Sequence, residues 1–237
     1  GEIAKTLIKK KRALPLCGNN LIAFDQLEIF IRHNNRIKSK FILLKNIKNL
    51  KKSERKAINH DLKKIISKRK NFLNHSNFST PLIMGILNVT PDSFSDGGKF
   101  NNKTKSLNQI VKMIKSGANI IDVGGESTRP GSKTVDPKVE WKRVEHVLKN
   151  FKKKYKGICL SLDTRKPDLM IKGINYGVDL INDVSGFNYD KKSLSVIKKY
   201  KIPKVLHHMQ GSPNTMQTNP KYKNVLLDIY DFFEKNI

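Results

Sequence analysis

Short apolar runs alternate with amphipathic stretches along the chain from about residue 81 onward. The apolar runs predict strands at residues 82–87, 119–123, 157–163, 177–183 and 203–207. The amphipathic stretches predict helices at residues 106–116, 137–151, 167–173, 193–200 and 222–237. The first run, 82–87, is apolar throughout, which is typical of a strand buried on both faces. Strands that alternate with helices pair in parallel through right-handed crossovers, so the pattern predicts an α/β fold.

Polar side chains lie at or next to the end of each predicted strand. They are Asn88, Asp122, Asp163, Asn182, Asp183, His207 and His208. In a TIM (β/α)₈ barrel all strand ends surround one mouth, whereas a doubly wound sheet gathers only the ends beside its switch point. No G-x-G-x-x-G follows the first strand, which counts against a dinucleotide fold. The sequence therefore predicts a TIM barrel, with about five β/α units present.

The first 80 residues follow a different pattern. They contain 20 Lys and Arg residues against 5 Asp and Glu residues. Apolar runs at 21–24 and 27–31 predict a pair of strands, and 41–44 predicts a third. Residues 53–70 have the spacing of an amphipathic helix, with Ser53 as its cap. We interpret residues 1–80 as a small basic α+β extension of unknown role, joined to a second domain at 81–237.

The formal charge of +27 comes from 39 Lys and only 8 Arg residues. Nucleic-acid surfaces favour Arg for paired contacts and stacking. Lys enriched together with Asn and Ile indicates a bias toward A/T-rich codons, so a nucleic-acid partner is not expected. Binding of RNA by the basic helix at 53–70 stays open as an alternative. The charge would also attract anionic small molecules.

The two cysteines, Cys17 and Cys159, lie far apart and lack the spacing of metal ligands. They indicate reduced thiols and a cytoplasmic protein. No apolar run reaches the length of a membrane span, so no membrane partner is expected. The sequence does not indicate an oligomeric state, and a homodimer stays open.

The chemistry at the predicted mouth comes from carboxylates and amides. Asp163, Asn182 and Asp122 suit the edge of a planar nitrogen heterocycle, because they offer in-plane acceptors and donors. The alternative is that some of these groups, Asp122 and Asp183 above all, cap helices or hold loops together. Asn88 with loop backbone could bind one Mg²⁺ together with phosphate oxygens. No Ser-His-Asp or Cys-His set appears, so covalent catalysis is not indicated.

Five ordered motifs resemble those of the dihydropteroate synthase family. They are Met84–Gly98 (M-G-I-L-N-V-T-P-D-S-F-S-D-G-G), Asp122–Gly131 (D-V-G-G-E-S-T-R-P-G), Ser161–Pro167 (S-L-D-T-R-K-P), Ile181–Gly186 (I-N-D-V-S-G) and His208–Gln217. The resemblance implies a pterin-binding TIM barrel over 81–237. It also implies an enzyme that joins 4-aminobenzoate to (7,8-dihydropterin-6-yl)methyl diphosphate and releases pyrophosphate in folate synthesis.

The resemblance assigns roles to residues of the pterin end of the site. It implies that Asp163 and Asn182 bind the pterin and that Asp122 supports them. Met209 is expected to line the pterin slot. Asn88 resembles the family's contact to Mg²⁺, which is the expected cofactor.

A second group of residues resembles the family's loop positions. Thr128 matches a substrate-binding position, and Arg129 belongs to the family's mobile second loop. Phe94 and Pro130 match positions that shape the aminobenzoate site, where sulfonamides compete.

The family's later half, with an Asp, a Ser-Arg-Lys motif and a final Arg-x-His, has no counterpart before Ile237. Those residues bind much of the phosphate and pterin. We therefore expect the chain to be incomplete and inactive alone. A second enzyme class, the pterin-binding methyltransferases, shares the barrel, but it would lack the loop at 90–98 and the S-T-R-P-G turn that are present here.

Overall fold

The computed structural model describes residues 1–33, 36–69, 73, 81–90, 99–127, 132–212 and 215–237, with the backbone alone at 99–102. The chain divides into two compact units, Gly1–Asn71 and Phe72–Ile237. Among the described residues, no helix is both long and apolar enough to cross a membrane.

The first unit consists of helices and two separate antiparallel strand pairs. Its elements are α1 (Glu2–Lys9), β1 (Leu14–Leu16), β2 (Asn19–Phe24), β3 (Gln26–His33), β4 (Arg36–Leu43), a 3₁₀ segment (Leu44–Asn49) and α2 (Lys52–Ile66). β2 pairs with β1 and β3 pairs with β4. The prediction that 21–24 pairs with 27–31 is therefore wrong. Asp25 alone separates β2 from β3, which is too short for the usual hairpin connections of two or more residues.

Helix α2 begins two residues earlier than the sequence predicts. Its N-cap is Lys51, which makes no side-chain capping bond, and Ser53 lies inside the helix. The helix ends at Ile66 rather than near residue 70, with Ser67 extended after it. The predicted cap at Ser53 is thus wrong, although the amphipathic helix itself is present.

The second unit is built of five β/α repeats. Its elements are β5 (Met84–Asn88), α3 (Lys99–Lys115), β6 (Ile120–Gly124), α4 (Pro137–Leu148), α5 (Phe151–Lys154), β7 (Cys159–Asp163), α6 (Pro167–Asn175), β8 (Leu180–Asp183), α7 (Lys192–Tyr200), β9 (Lys204–Leu206) and α8 (Val225–Asn236). The strands form one parallel sheet in the order β5-β6-β7-β8-β9. Spatial order follows chain order without the reversal of a doubly wound sheet, as in the wall of a barrel.

The main core lies between the outer face of this sheet and its helices. Ile121, Leu160, Leu162 and Ile181 are fully buried there against residues of α4 and α6. Helix α4 starts as predicted, with Asp136 as a side-chain cap and Pro at its first turn. The single helix predicted to run to residue 151 is instead two, because the chain turns at Asn150 before α5.

An apolar cluster covers part of the inner face of the sheet. Leu73 packs with Ile120, Cys159 and Leu180 near the amino ends of the strands. Toward the carboxyl ends, Ile86 of β5 is 64% exposed. The prediction that this strand is buried on both faces is therefore wrong, because no described residue covers Ile86 from the inside.

Candidate active site

The register of the parallel sheet places the predicted polar residues at one level. Asn88 of β5 pairs with Gly124 of β6, Gly124 with Asp163 of β7, and Asp163 with Asn182 of β8. Residues paired across adjacent strands point to the same face. Asn88, Asp163 and Asn182 therefore lie side by side at the carboxyl edge of the sheet.

Gly124 leaves the space into which two of these side chains extend. A methyl group added to its Cα would lie 3.3 Å from Asp163 Oδ2 and 3.4 Å from Asn88 Oδ1. Both oxygens thus lie beside Gly124 of the strand between them, although they come from strands that are not neighbours. Together they form an oxygen-rich patch on the inner face of the sheet.

Three further groups form a hydrogen-bonded row beside this patch. Asn182 donates through Nδ2 to Asp122 Oδ2 at 2.9 Å, and its Oδ1 lies 2.7 Å from His207 Nε2. Asp122 is 3% exposed and belongs to the level just below the strand ends. The structure thus places Asp122 next to Asn182 and adds His207 to the row.

Asp163 has the most strongly raised pKa of the cluster. Burial raises its pKa well above the ordinary value, and the nearby carboxylates of Asp122, Glu140 and Asp183 raise it further. In the described part of the chain, no group donates a hydrogen bond to its carboxylate. A ligand that offers N–H donors would supply what Asp163 lacks.

Asp122 and Asp183 differ in the groups that donate hydrogen bonds to their carboxylates. Burial raises the pKa of both, and the charge of His207 opposes the rise in both. Asp183 is fully buried and accepts hydrogen bonds from the hydroxyl and backbone N–H of Ser185 and from the N–H of Phe187. It therefore holds the turn after β8, which is the structural alternative left open by the sequence.

Known proteins are similar in sequence to this part of the chain. A profile of the family described as pterin binding enzyme matches residues 84–237, which is more than half of the chain. The chain belongs to the pterin binding enzyme family.

Curated relatives and solved structures agree. The dihydropteroate synthase of Haemophilus influenzae is 44% identical over 157 residues, which cover 66% of this chain and 56% of that protein. The dihydropteroate synthase of Clostridium beijerinckii is 46% identical over 147 residues, 62% of this chain and 52% of that protein. The chain thus spans about half the length of the curated relatives it matches.

Among solved structures, the Yersinia pestis dihydropteroate synthase in complex with a sulfonamide drug superposes with a TM-score of 0.63 at 40% identity. The match covers 68% of this chain and 58% of that one. The Xanthomonas albilineans enzyme with 4-aminobenzoic acid gives a TM-score of 0.60 at 33% identity, covering 68% and 56%. These neighbours are TIM barrels, so the five-stranded sheet of this pterin binding enzyme is part of a barrel wall, as predicted.

The remaining predicted site residues of this pterin binding enzyme fall into two groups. Met209 is half-buried three residues beyond β9. Phe94, Thr128, Arg129 and Pro130 lie outside the described residues. Their roles stay predictions.

A buried ion cluster, formed by Glu126, Glu140, Arg165 and Lys166, lies next to the site and was not predicted. Lys166 Nζ, 4% exposed at the side chain, contacts Glu140 Oε2 and lies 3.1 Å from Glu126 Oε1. Arg165 Nε donates to Glu126 Oε2 at 2.9 Å. Two cations thus neutralise two carboxylates, as buried charges require.

The ion cluster also fixes the two ends of the connection between β6 and α4. Lys166 Nζ donates to the carbonyl of Val135 at 2.6 Å, and Val135 N–H donates to Glu126 Oε1 at 2.7 Å. Burial alone would raise the pKa of Glu126, but the bonds from Arg165, Val135 and Lys166 lower it below its usual value. Opposite charges directly after two neighbouring strands, G-G-E and T-R-K, were the sequence signal for this pairing.

Proposed function

We propose that this chain carries the pterin-binding part of a dihydropteroate synthase. The complete gene product that contains it would condense 4-aminobenzoate with (7,8-dihydropterin-6-yl)methyl diphosphate, giving 7,8-dihydropteroate and pyrophosphate. The observation that carries the proposal is the single level formed by Asn88, Asp163 and Asn182 at the mouth of the sheet. The names of the relatives support the same reaction.

Recognition of the pterin follows from the hydrogen-bond donors and acceptors that Asp163 and Asn182 leave available for a ligand. A pterin ring presents adjacent N–H donors along one edge, and a carboxylate accepts two such bonds in one plane. Asp163 has no donor among the described residues, so it is the group that gains most from such a ring. Asn182 keeps one amide hydrogen and one lone pair beyond its bonds to Asp122 and His207.

The reaction needs positioning and electrostatic stabilisation more than a nucleophilic side chain. The bond between the pterin methylene carbon and the diphosphate oxygen breaks, and the amine nitrogen of 4-aminobenzoate forms the new C–N bond and loses a proton. The ring nitrogens stabilise positive charge that develops on the methylene. Asp163 and Asn182 would hold the ring so that this carbon faces the open side of the mouth.

We propose Mg²⁺ as the cofactor, with Asn88 as its protein contact. Mg²⁺ usually binds one or two protein oxygens and fills its other positions with water and substrate phosphates. Asn88 Oδ1 suits this role, since Asn88 is exposed at the mouth. No cluster of three or more His, Cys, Asp or Glu residues within the described ranges could bind a metal by itself. The ion would supply positive charge for the departing diphosphate.

The test is the release of pyrophosphate by the complete gene product in the presence of Mg²⁺. We expect release to require both 4-aminobenzoate and the pterin diphosphate. Asp163→Asn should abolish it, whereas Asp168→Asn, the same change at an exposed position of α6, should leave it unchanged. Release that continues without 4-aminobenzoate, or equal rates in the two variants, would contradict the proposal.

A further inference from the structure

We propose that His207 is a positioning residue that fixes the amide orientation of Asn182 and thereby the hydrogen-bonding pattern offered to the pterin. The inference rests on the proposed function, which assigns the pterin to Asp163 and Asn182. His207 lies just past β9, and its Nε2 is 2.7 Å from Asn182 Oδ1. With His207, each of the five strands β5 to β9 carries or is directly followed by a residue of the proposed site.

The order of donors and acceptors along the row of Asp122, Asn182 and His207 explains why a histidine matters here. Asn182 donates through Nδ2 to Asp122 Oδ2, so Asp122 holds the NH₂ end of the amide. The carbonyl end of Asn182 must then face His207, and it can only accept. His207 must therefore carry its proton on Nε2. An imidazole protonated only on Nδ1 would place two acceptors against each other and favour a flipped amide.

A flipped amide would change what the ligand meets. In the observed orientation, the free hydrogen of Asn182 Nδ2 and the free lone pair of Oδ1 have fixed positions next to Asp163, because both ends of the amide are held. After a flip, the donor and the acceptor would exchange places. A pterin edge has a fixed order of donors and acceptors, so it would match one orientation only.

His207 also lies close to two carboxylates. A protonated His207 would lower the pKa values of Asp122 on β6 and Asp183 on β8. Asp183 is occupied by the turn after β8, so Asn182 is the partner that His207 can orient.

A merely structural role for His207, such as holding β9 against β8, predicts different results from a positioning role. The first measurement is the imidazole tautomer in the ligand-free complete gene product, read from ¹⁵N chemical shifts and couplings of the His207 ring. We expect a proton on Nε2. A neutral ring with its proton on Nδ1 would overturn the inference, whatever the protein binds.

The second measurement compares His207→Gln with His207→Leu. The Gln amide can donate to Asn182 Oδ1, whereas Leu fills similar volume without a donor. We expect His207→Gln to bind 6-hydroxymethylpterin within about threefold of the wild type, and His207→Leu to bind about tenfold more weakly or worse. In turnover assays, KM for the pterin diphosphate should rise in His207→Leu while KM for 4-aminobenzoate stays unchanged.

The outcomes separate the two proposals. A wild-type protein that binds no pterin would contradict the proposed function, and the tautomer would still test the hydrogen-bonded row. Pterin binding by the wild type with equal affinity in His207→Leu would overturn the role of His207 and leave the proposed function standing. Equal melting temperatures of the two variants would show that the affinity difference does not come from unfolding.

Discussion

Asp163 illustrates how a residue proposed to bind a ligand can destabilise the fold that carries it. Its pKa is raised by burial and by neighbouring carboxylates, so the folded protein holds the proton more tightly than the unfolded chain. Stability therefore falls as the pH rises above the ordinary range of aspartate, about 4. At neutral pH the raised pKa of Asp163 therefore costs stability, and a bound ligand with N–H donors would restore part of it by favouring the charged form.

The first prediction is that Asp163→Asn raises the melting temperature of the complete gene product at pH 7 while it abolishes pterin binding. The gain should shrink as the pH falls toward 4, where the carboxyl group becomes protonated in the unfolded as well as in the folded protein. Thermal unfolding followed by circular dichroism from pH 4 to 8 measures this. Asp168→Asn is the control and should not alter the curve. A variant less stable than wild type at pH 7 would contradict the argument.

The second prediction concerns the buried ion cluster. Lys166→Met should destabilise the second unit by about 3–5 kcal/mol, because Glu140 is left buried without its cation. Lys152→Met removes the half-exposed pair with Asp179 and should cost less than about 1 kcal/mol. Urea unfolding of the two variants measures the difference. Equal losses would show that Glu140 finds another partner or takes up a proton at little cost.

At the residue scale, the sequence predicts the groups that end strands but not the partners that hold them. Asn88, Asp163 and Asn182 could be found because each follows an apolar run. The contact of His207 with Asn182 depends on the register between β8 and β9 and on the path of the chain after β9. The spacing of apolar residues in the sequence reveals neither. Nothing in the sequence distinguishes Lys166 from the other lysines, because its burial depends on the fold.

At the element scale, Gly173 shows how closely helix α6 packs on the sheet. A methyl group at its Cα would lie 2.5 Å from Cδ2 of the fully buried Leu162. Alanine favours a helix over glycine by about 1 kcal/mol, so helix propensity and packing oppose each other at this position.

The third prediction is that packing prevails, and that Gly173→Ala destabilises the protein by about 1–3 kcal/mol. Asn175→Ala, an exposed change at the end of the same helix, should stay within about 0.5 kcal/mol of wild type. Urea unfolding of both variants tests this. A stabilised Gly173→Ala would show that Leu162 moves aside freely.

The elements of the second unit could be predicted well because burial imposes a clear period on them. All five strands and their helices appear near the predicted positions. In the first unit the strand pairs could not be predicted, because β2 and β3 are both half-exposed and adjacent in the chain. In the sequence, Asp25 and Gln26 separate the two apolar runs, which suits a hairpin. In the structure β3 begins at Gln26, so a single residue remains and each strand pairs with another partner.

At the scale of the whole molecule, the chain presents part of a barrel wall. Ile86 is largely exposed on the inner face, and β5 and β9 are the outermost strands of the sheet. The matched part of the chain spans only about half the length of the relatives. The fourth prediction is that these 237 residues alone form no detectable dihydropteroate, because their match spans only about half the length of the dihydropteroate synthases. A steady-state assay of this chain beside the complete gene product measures it, and turnover by the chain alone would contradict it.

The most direct test of the proposed site is a crystal structure of the complete gene product with bound 6-hydroxymethylpterin. We expect ring nitrogens within about 3.2 Å of the Asp163 carboxylate and the Asn182 amide, with the hydroxymethyl group turned toward Asn88. A pterin bound elsewhere, with Asp163 and Asn182 making no contact to it, would contradict the proposal that these strand ends form one pterin site.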